Sequence, residues 1–293
     1  MKKLLLAFIA GTTLFSCGEP APIIAPETVI TGVITNPDGN TIWIENYRNE
    51  KIIIDTLNEK GEFEIKFTLG QPSCYEIVNG KSKSYLCLSP ADTLSVSFDA
   101  KDICKSISYN GKRMFLNNYL CEKQRVSDKL MTGEYDSLYY LTTDTFLLNA
   151  DILFKTITLP FDVVKADTNI NKILISKEEE ALKYEKAALL LDYYYYHKMM
   201  RMVDSIAGLD KIIALTKDVS PNNAAALELK SYRNFLQSYI NFNAESVYKA
   251  DTTLHSHPDG MTKAKSMCVD KMISDDVVKQ YLHDKLKGES PTM

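Results

Sequence analysis

His255-Ser256-His257-Pro258-Asp259 is the stretch whose residue types come nearest to metal chemistry. In an extended segment alternate side chains point the same way. Both imidazoles could therefore reach one ion, with Asp251, Asp259 or Cys268 as a third ligand. Two ligands do not make a site, and the surrounding segment is polar with Pro and Gly, so solvated histidines are the plainer reading. The sequence assigns no metal and no cofactor. Paired carboxylates occur in Lys177-Glu178-Glu179-Glu180 and in Asp275-Asp276. Both runs fall where helices are expected to start, and the helix dipole alone favours acids there. There is no Gly-rich phosphate loop, no G-x-S-x-G and no H-E-x-x-H. The sequence names no catalytic residue, and the expectation is a protein that is not an enzyme.

Leu191-Asp192-Tyr193-Tyr194-Tyr195-Tyr196-His197 is the second unusual run. Consecutive helical residues turn by about 100°, so Tyr193, Tyr194, Tyr195 and Tyr196 point all round their helix. They are candidate ligand-facing aromatics, able to stack on a sugar ring or a partner protein. The competing reading is a central helix covered on several sides, with phenol hydroxyls reaching water or backbone.

Of six cysteines, no two stand in C-x-x-C spacing, the geometry that lowers a redox thiol's pKa. Cys74 and Cys87 are the one suggestive pair, flanking Asn79-Gly80-Lys81-Ser82 in a predicted hairpin. With Gly80-Lys81 as the loop, Cys74 faces Cys87 directly. With Asn79-Gly80, the stronger type I′ signal, Cys74 faces Tyr85. Either register puts both cysteines on one face, as a disulfide or as two buried thiols.

Cys17 has a different explanation. Lys2-Lys3 followed by the apolar Leu4 to Phe15 reads as a secretory signal, too short to span a bilayer. Leu14-Phe15-Ser16-Cys17 resembles a bacterial lipobox, which implies cleavage before Cys17 and acylation of that cysteine. Each buried lipid CH₂ contributes about 0.8 kcal/mol to anchoring. Residues 18–27, Pro-rich, read as a stiff tether. Gly18 rather than Asp after the cysteine implies an outer-membrane destination facing periplasm or surface. A net charge of -4 argues against nucleic acid as a partner.

These features need elements to carry them. Residues 28–109 read as short strands with turn signals between: Thr28 to Thr35, Thr41 to Glu45, Lys51 to Thr56, Glu62 to Leu69, Cys74 to Val78, Ser84 to Leu88, Thr93 to Phe98 and Cys104 to Tyr109. In Glu62 to Leu69 the apolar residues Phe63, Ile65 and Phe67 alternate with charges, the mark of a half-buried strand. After Gly111 the period becomes helical, beginning at Phe115, Leu116, Tyr119 and Leu120. Further helices are predicted over Leu138 to Thr158, stopped by Pro160, over Lys177 to Met202, from Ser220-Pro221 onward, and from Ser274 onward with Val278, Tyr281, Leu282 and Leu286 as a stripe.

The order of lipobox, Thr31-Gly32-Val33-Ile34, Ile42-Trp43-Ile44-Glu45-Asn46, Ile53-Ile54-Asp55-Thr56 with Gly61-Glu62-Phe63, then helices, resembles the N-terminal portion of TlpA-like lipoprotein thiol-disulfide oxidoreductases. The resemblance covers residues 1–125 and, loosely, the later helices. It implies a β-sandwich and a helical segment ahead of a thioredoxin-fold domain. The family's W-C-x-x-C is absent from these residues, and the single tryptophan, Trp43, has no cysteine beside it, so no catalytic residue carries over.

The expectation is an α+β chain. Residues 1–17 form the signal and lipobox, 18–27 the tether, 28–109 an antiparallel β-sandwich and 110–293 an all-α domain. Its expected role is a membrane-anchored binding or scaffold module whose partner is an envelope protein or polymer. The alternative is the substrate-positioning, non-catalytic half of a thioredoxin-like system, working with a thioredoxin-domain partner.

Overall fold

A computed structural model describes residues 26–112, 114–129, 135–256 and 258–276. Cys17 and His257 lie outside them, as does the stripe from Val278 to Leu286. Eight strands come first, with one short helix before the last of them, and the remaining helices follow. The strands are β1 Glu27–Thr35, β2 Thr41–Glu45, β3 Lys51–Thr56, β4 Glu62–Thr68, β5 Ser73–Asn79, β6 Ser82–Leu88, β7 Thr93–Asp99 and β8 Ser108–Gly111. They form two four-stranded sheets, ordered β4-β1-β7-β8 and β3-β2-β5-β6. Ile30, Ile34, Phe63, Ile65, Leu94, Val96 and Phe98 of the first sheet share one apolar cluster with Ile42, Ile44, Ile77, Leu86 and Leu88 of the second. Alternation explains the choice of faces: in β7, Leu94, Val96 and Phe98 are buried and Thr93, Ser95 and Ser97 exposed. Gly32 of β1 sits where a Cβ would collide with the Val96 carbonyl and the Phe63 ring.

The sheets are not wholly antiparallel, contrary to expectation. β1 pairs antiparallel with β4 but parallel with β7. A parallel pair needs a long crossover, and the whole of β2 to β6 supplies it. A second correction concerns Cys104 to Tyr109. Its first half is a one-turn helix, α1 Ile103–Ser106, and only Ser108–Gly111 is strand. Ser106 Oγ donates to the Asp102 carbonyl at 2.6 Å, a local bond that competes with strand pairing.

The β5–β6 hairpin closes on Gly80-Lys81, with Asn79 opposite Ser82 and Cys74 opposite Cys87. The type I′ Asn-Gly alternative loses because Asn79 has other work. Its side chain is fully buried; its Oδ1 accepts from the Asp38 N–H at 2.7 Å and its Nδ2 donates to the Thr41 carbonyl at 2.8 Å. It thereby pins the β1–β2 turn. Gly80 adopts φ +56°, which favours glycine.

The helices are α2 Met114–Lys129, α3 Tyr135–Tyr140, α4 Thr143–Lys165, α5 Lys172–Arg201, α6 Leu209–Thr216, α7 Lys230–Ala250 and α8 Gly260–Met267; residues 271–276 are also helical. Pro160 does not stop its helix. It lies on the exposed side, so the carbonyl it orphans faces water, while Phe154, Ile157, Phe161 and Val164 continue the buried stripe through it. Ser220-Pro221 does not start one. Ser220 Oγ accepts from the Asn222 N–H, a 3₁₀ turn follows at Ala224–Glu228, and α7 begins only at Lys230. Likewise Ser274 lies inside a helix already running from residue 271. α5 starts five residues before Lys177, capped by Asn171, whose Oδ1 accepts from the Ile173 N–H at 2.8 Å.

α2 and α5 cover the outer face of β5–β6. Cys74, Tyr85 and Cys87 pack there against Leu116, Leu120, Phe161 and Leu174. These two strands are thus covered on both faces, which is why neither reads as a clean alternation. α5 is the hub of the helices, joining one cluster through Tyr184, Ala188 and Leu191 and another through Leu189, Leu190 and Tyr193. No helix among the described residues is long and apolar enough to cross a membrane.

Candidate functional site

A cavity of about 280 Å³ lies between the outer face of β5–β6 and helices α2, α5 and α7. Cys74, Glu76, Tyr85 and Cys87 form the sheet wall. Leu116, Leu120 and Lys123 come from α2, Leu174, Glu178, Ala181 and Glu185 from α5, and Lys230, Ser231 and Arg233 from α7. Helical period places the charges: Lys123 follows Leu116 and Leu120 on one face, and Glu178 and Glu185 share a face with Leu174 and Ala181.

Two ionic networks stand in these walls. Lys123 Nζ donates to Glu178 Oε1 and Glu185 Oε1, each at 2.8 Å, and the Tyr119 hydroxyl donates to Glu178 Oε1 at 2.9 Å. The Lys123 and Glu178 side chains are each only 7% exposed. Burial opposes the charge on Lys123, but Glu185 and Glu178 together outweigh it and raise its pKa, so it remains an ammonium. Burial raises the Glu178 carboxyl, with Lys123 opposing and the negative Glu185 adding to the rise.

The second network centres on Glu76, which accepts from Lys230 Nζ at 2.9 Å and Lys83 Nζ at 3.0 Å. Burial pushes its carboxyl up, yet the two ammoniums win and hold it below the usual range. Glu45, 3.8 Å from Lys83, accepts from Trp43 Nε1 at 2.9 Å. At the rim Lys177 pairs with Glu228 at 2.8 Å. Asp276 binds Arg233 and Arg48, and both guanidiniums lie 5.3 Å from the Tyr47 ring centroid.

Two hydroxyls also line the cleft. Ser231 Oγ is buried with no hydrogen-bond partner among the described residues. The half-buried Tyr85 lines the same cleft; its ring centroid is 5.8 Å from Lys230 Nζ, and burial raises its pKa. An unmet buried hydroxyl costs about 1–3 kcal/mol.

Cys74 and Cys87 are joined as a disulfide in the cleft wall. Cys121 and Cys268 are thiols, the latter raised in pKa by burial. The four tyrosines do not share a surface. Tyr193 is buried, stacks on Phe146 with centroids 4.0 Å apart, and donates to the Leu141 carbonyl at 2.8 Å. Tyr194 meets Phe242 edge-on, Tyr196 packs on Tyr139, and only Tyr195 is largely exposed. His255 Nε2 lies 2.9 Å from the Tyr248 carbonyl, and no group of three metal-ligating side chains occurs among the described residues.

Sequence reading missed Lys123, Glu76, Lys230 and Ser231, and gave Glu178 a different role. Glu178 in particular is not a dipole-complementing acid at a helix start; it lies in the second turn of α5, facing inward. The available signal was a charge at an apolar position of the period, as in Leu116-x₃-Leu120-x₂-Lys123. Compared with protein-family models and with curated proteins, the chain matches none.

Proposed function

We propose that this chain is an exported, lipid-anchored binding protein of a bacterial envelope. Acylated Cys17 would hold it to the outer membrane, residues 18–27 would act as tether, and the two sheets would form a β-sandwich carrying an all-α domain. Its ligand would occupy the cleft between β5–β6 and α2, α5 and α7. The observation behind this reading is that cleft: an apolar floor, two ordered ionic networks and the unpartnered Ser231 hydroxyl, the mixture expected of a ligand site.

Native mass spectrometry of the full chain taken from membranes tests it. A bound small molecule or segment is expected on the wild type and not on Ser231→Trp, which fills the cleft. Cys17→Ala is expected to leave the membrane fraction. A Ser231→Trp chain carrying the same adduct refutes the cleft; Cys17→Ala surviving a salt wash in the membrane refutes the anchor.

The position of the disulfide supports a second reading, in keeping with the resemblance to TlpA-like proteins. Half-buried Cys74 lines the cleft, so a partner thioredoxin-domain thiolate could attack its sulfur there. The S–S bond would break as the mixed disulfide forms, with Cys87 as leaving thiolate. A thioredoxin trap lacking its resolving cysteine should then couple to Cys74; coupling only to Cys121 or Cys268, or none, refutes it.

A further inference from the structure

We propose that the cleft takes an uncharged, hydroxyl-rich ligand, a neutral saccharide; this rests on the reading of the cleft as a binding site. The argument begins with charge. Four cations line it, Lys123, Lys177, Lys230 and Arg233, against four carboxylates, Glu76, Glu178, Glu185 and Glu228, so the lining is formally neutral. Every cation is already matched: Lys123 by Glu178 and Glu185, Lys177 by Glu228, Lys230 by Glu76 and Arg233 by Asp276. A charged ligand would add an unbalanced charge to this neutral, half-enclosed lining.

A neutral polyol leaves the pairs intact and uses what they have spare. An ammonium carries three donors and a carboxylate about four lone-pair sites, so Lys123 and Glu185 still have unused capacity side by side. A sugar hydroxyl both donates and accepts, which suits alternating ammonium and carboxylate better than any one-signed group. Ser231 Oγ, buried and unpartnered, and the Tyr85 hydroxyl are two further points of contact. The Tyr85 ring with Leu116 and Leu120 offers an apolar surface to the C–H face of a pyranose.

An extended peptide is served less well. β6 is an edge strand, yet at Cys87 that edge is closed. The Cys87 N–H donates to Asn117 Oδ1 at 2.7 Å, and its carbonyl accepts from Asn117 Nδ2 at 3.1 Å. Strand addition would have to displace Asn117 at Cys87, whereas side-chain hydroxyls and ions already face the space.

The test is isothermal titration of the full chain with maltotriose, cellotriose and diacetylchitobiose. Trigalacturonate and triglucosamine serve as charged sugars of similar size, and end-capped trialanine as a neutral peptide. At least one neutral sugar should bind, with both charged sugars at least tenfold weaker. Ser231→Ala should weaken that sugar roughly 5- to 10-fold while raising the melting temperature of the free protein, because it removes an unmet hydroxyl. A purely structural serine would not move the two readouts in opposite directions. Tyr85→Phe should also weaken binding. The proposal is overturned if no neutral sugar binds, if a charged sugar binds more tightly, or if Ser231→Ala leaves affinity unchanged. Peptide binding lost in Ser231→Trp would remove the saccharide but keep the cleft; a bound probe indifferent to Ser231→Trp would remove the cleft itself.

Discussion

Replacing Lys123 by Met should turn the neighbouring carboxylate from a partner into a burden, to an extent set by pH. Lys123 and Glu178 are equally hidden, and only Glu185, 30% exposed, can turn to solvent. Without the ammonium Glu178 keeps one hydrogen bond, from Tyr119. Leaving a buried charge without its partner costs about 3–5 kcal/mol. Protonation caps that cost: neutralising a carboxyl whose ordinary pKa is 4.5 takes about 3.4 kcal/mol at pH 7 and about 0.7 at pH 5. The variant should thus lose about 3 kcal/mol at pH 7 and only about 1 kcal/mol at pH 5. The sign follows from proton counts. Above pH 4.5 the folded variant holds a proton that the unfolded chain has released, so its stability falls as pH rises. Urea denaturation followed by circular dichroism at pH 5 to 8 measures this. At a slope of about 2 kcal/mol/M the pH 7 midpoint should drop by about 1.5 M. Lys123→Met/Glu178→Gln should recover most of the loss and flatten the pH dependence. An equal loss at pH 5 and pH 8, or no recovery in the double variant, refutes the reasoning.

Reducing Cys74–Cys87, or replacing both by Ser, should cost about 2–3 kcal/mol, read as a fall in melting temperature that dithiothreitol reproduces in the wild type only. Asn117→Ala strands the Cys87 N–H and carbonyl together and should lower unfolding free energy by about 2–3 kcal/mol; an unchanged denaturation midpoint would contradict this. Burial pushes the Asp192 carboxyl up to about 6. Its contribution to stability is present below its ordinary pKa and is lost as pH rises toward 6, so Asp192→Asn should be more stable at pH 7 by about 1–2 kcal/mol and flatter in between. Tyr193→Ala, in the stacked interior, should cost about 3–5 kcal/mol, while Tyr195→Ala should change the melting free energy by no more than about 0.5 kcal/mol.

Much of the scaffold is legible in the sequence because its signals are local. Alternation in Glu62 to Thr68 and Thr93 to Asp99 fixes which side chains turn inward, and the hairpin places Cys74 and Cys87 on one face in either register. Where reading fails, a distant contact overrides a local cue. Asn79 is spent on the Asp38 turn, so the Asn-Gly loop is not used. Pro160 sits on a wet face, so it need not end α4. Ser106 bonds locally and curls a predicted strand into a turn of helix. The cleft was hidden for the same reason at larger range: Lys123 finds Glu178 at a separation of 55 residues and Lys230 finds Glu76 at 154. A charge in an apolar stripe flags such a position, but it does not name the partner.

β1 is the first strand among the described residues and lies inside its sheet, between β4 and β7. Tension entering the chain at Glu27 would run along the axis of that strand. It would meet hydrogen bonds on both flanks at once, loaded in shear, instead of peeling an outer strand one bond at a time. The sheet would therefore resist a pull from its N-terminal side as a unit, and α2, which follows β8 and accepts the Tyr109 N–H on Asn118 Oδ1, would be held by that same sheet.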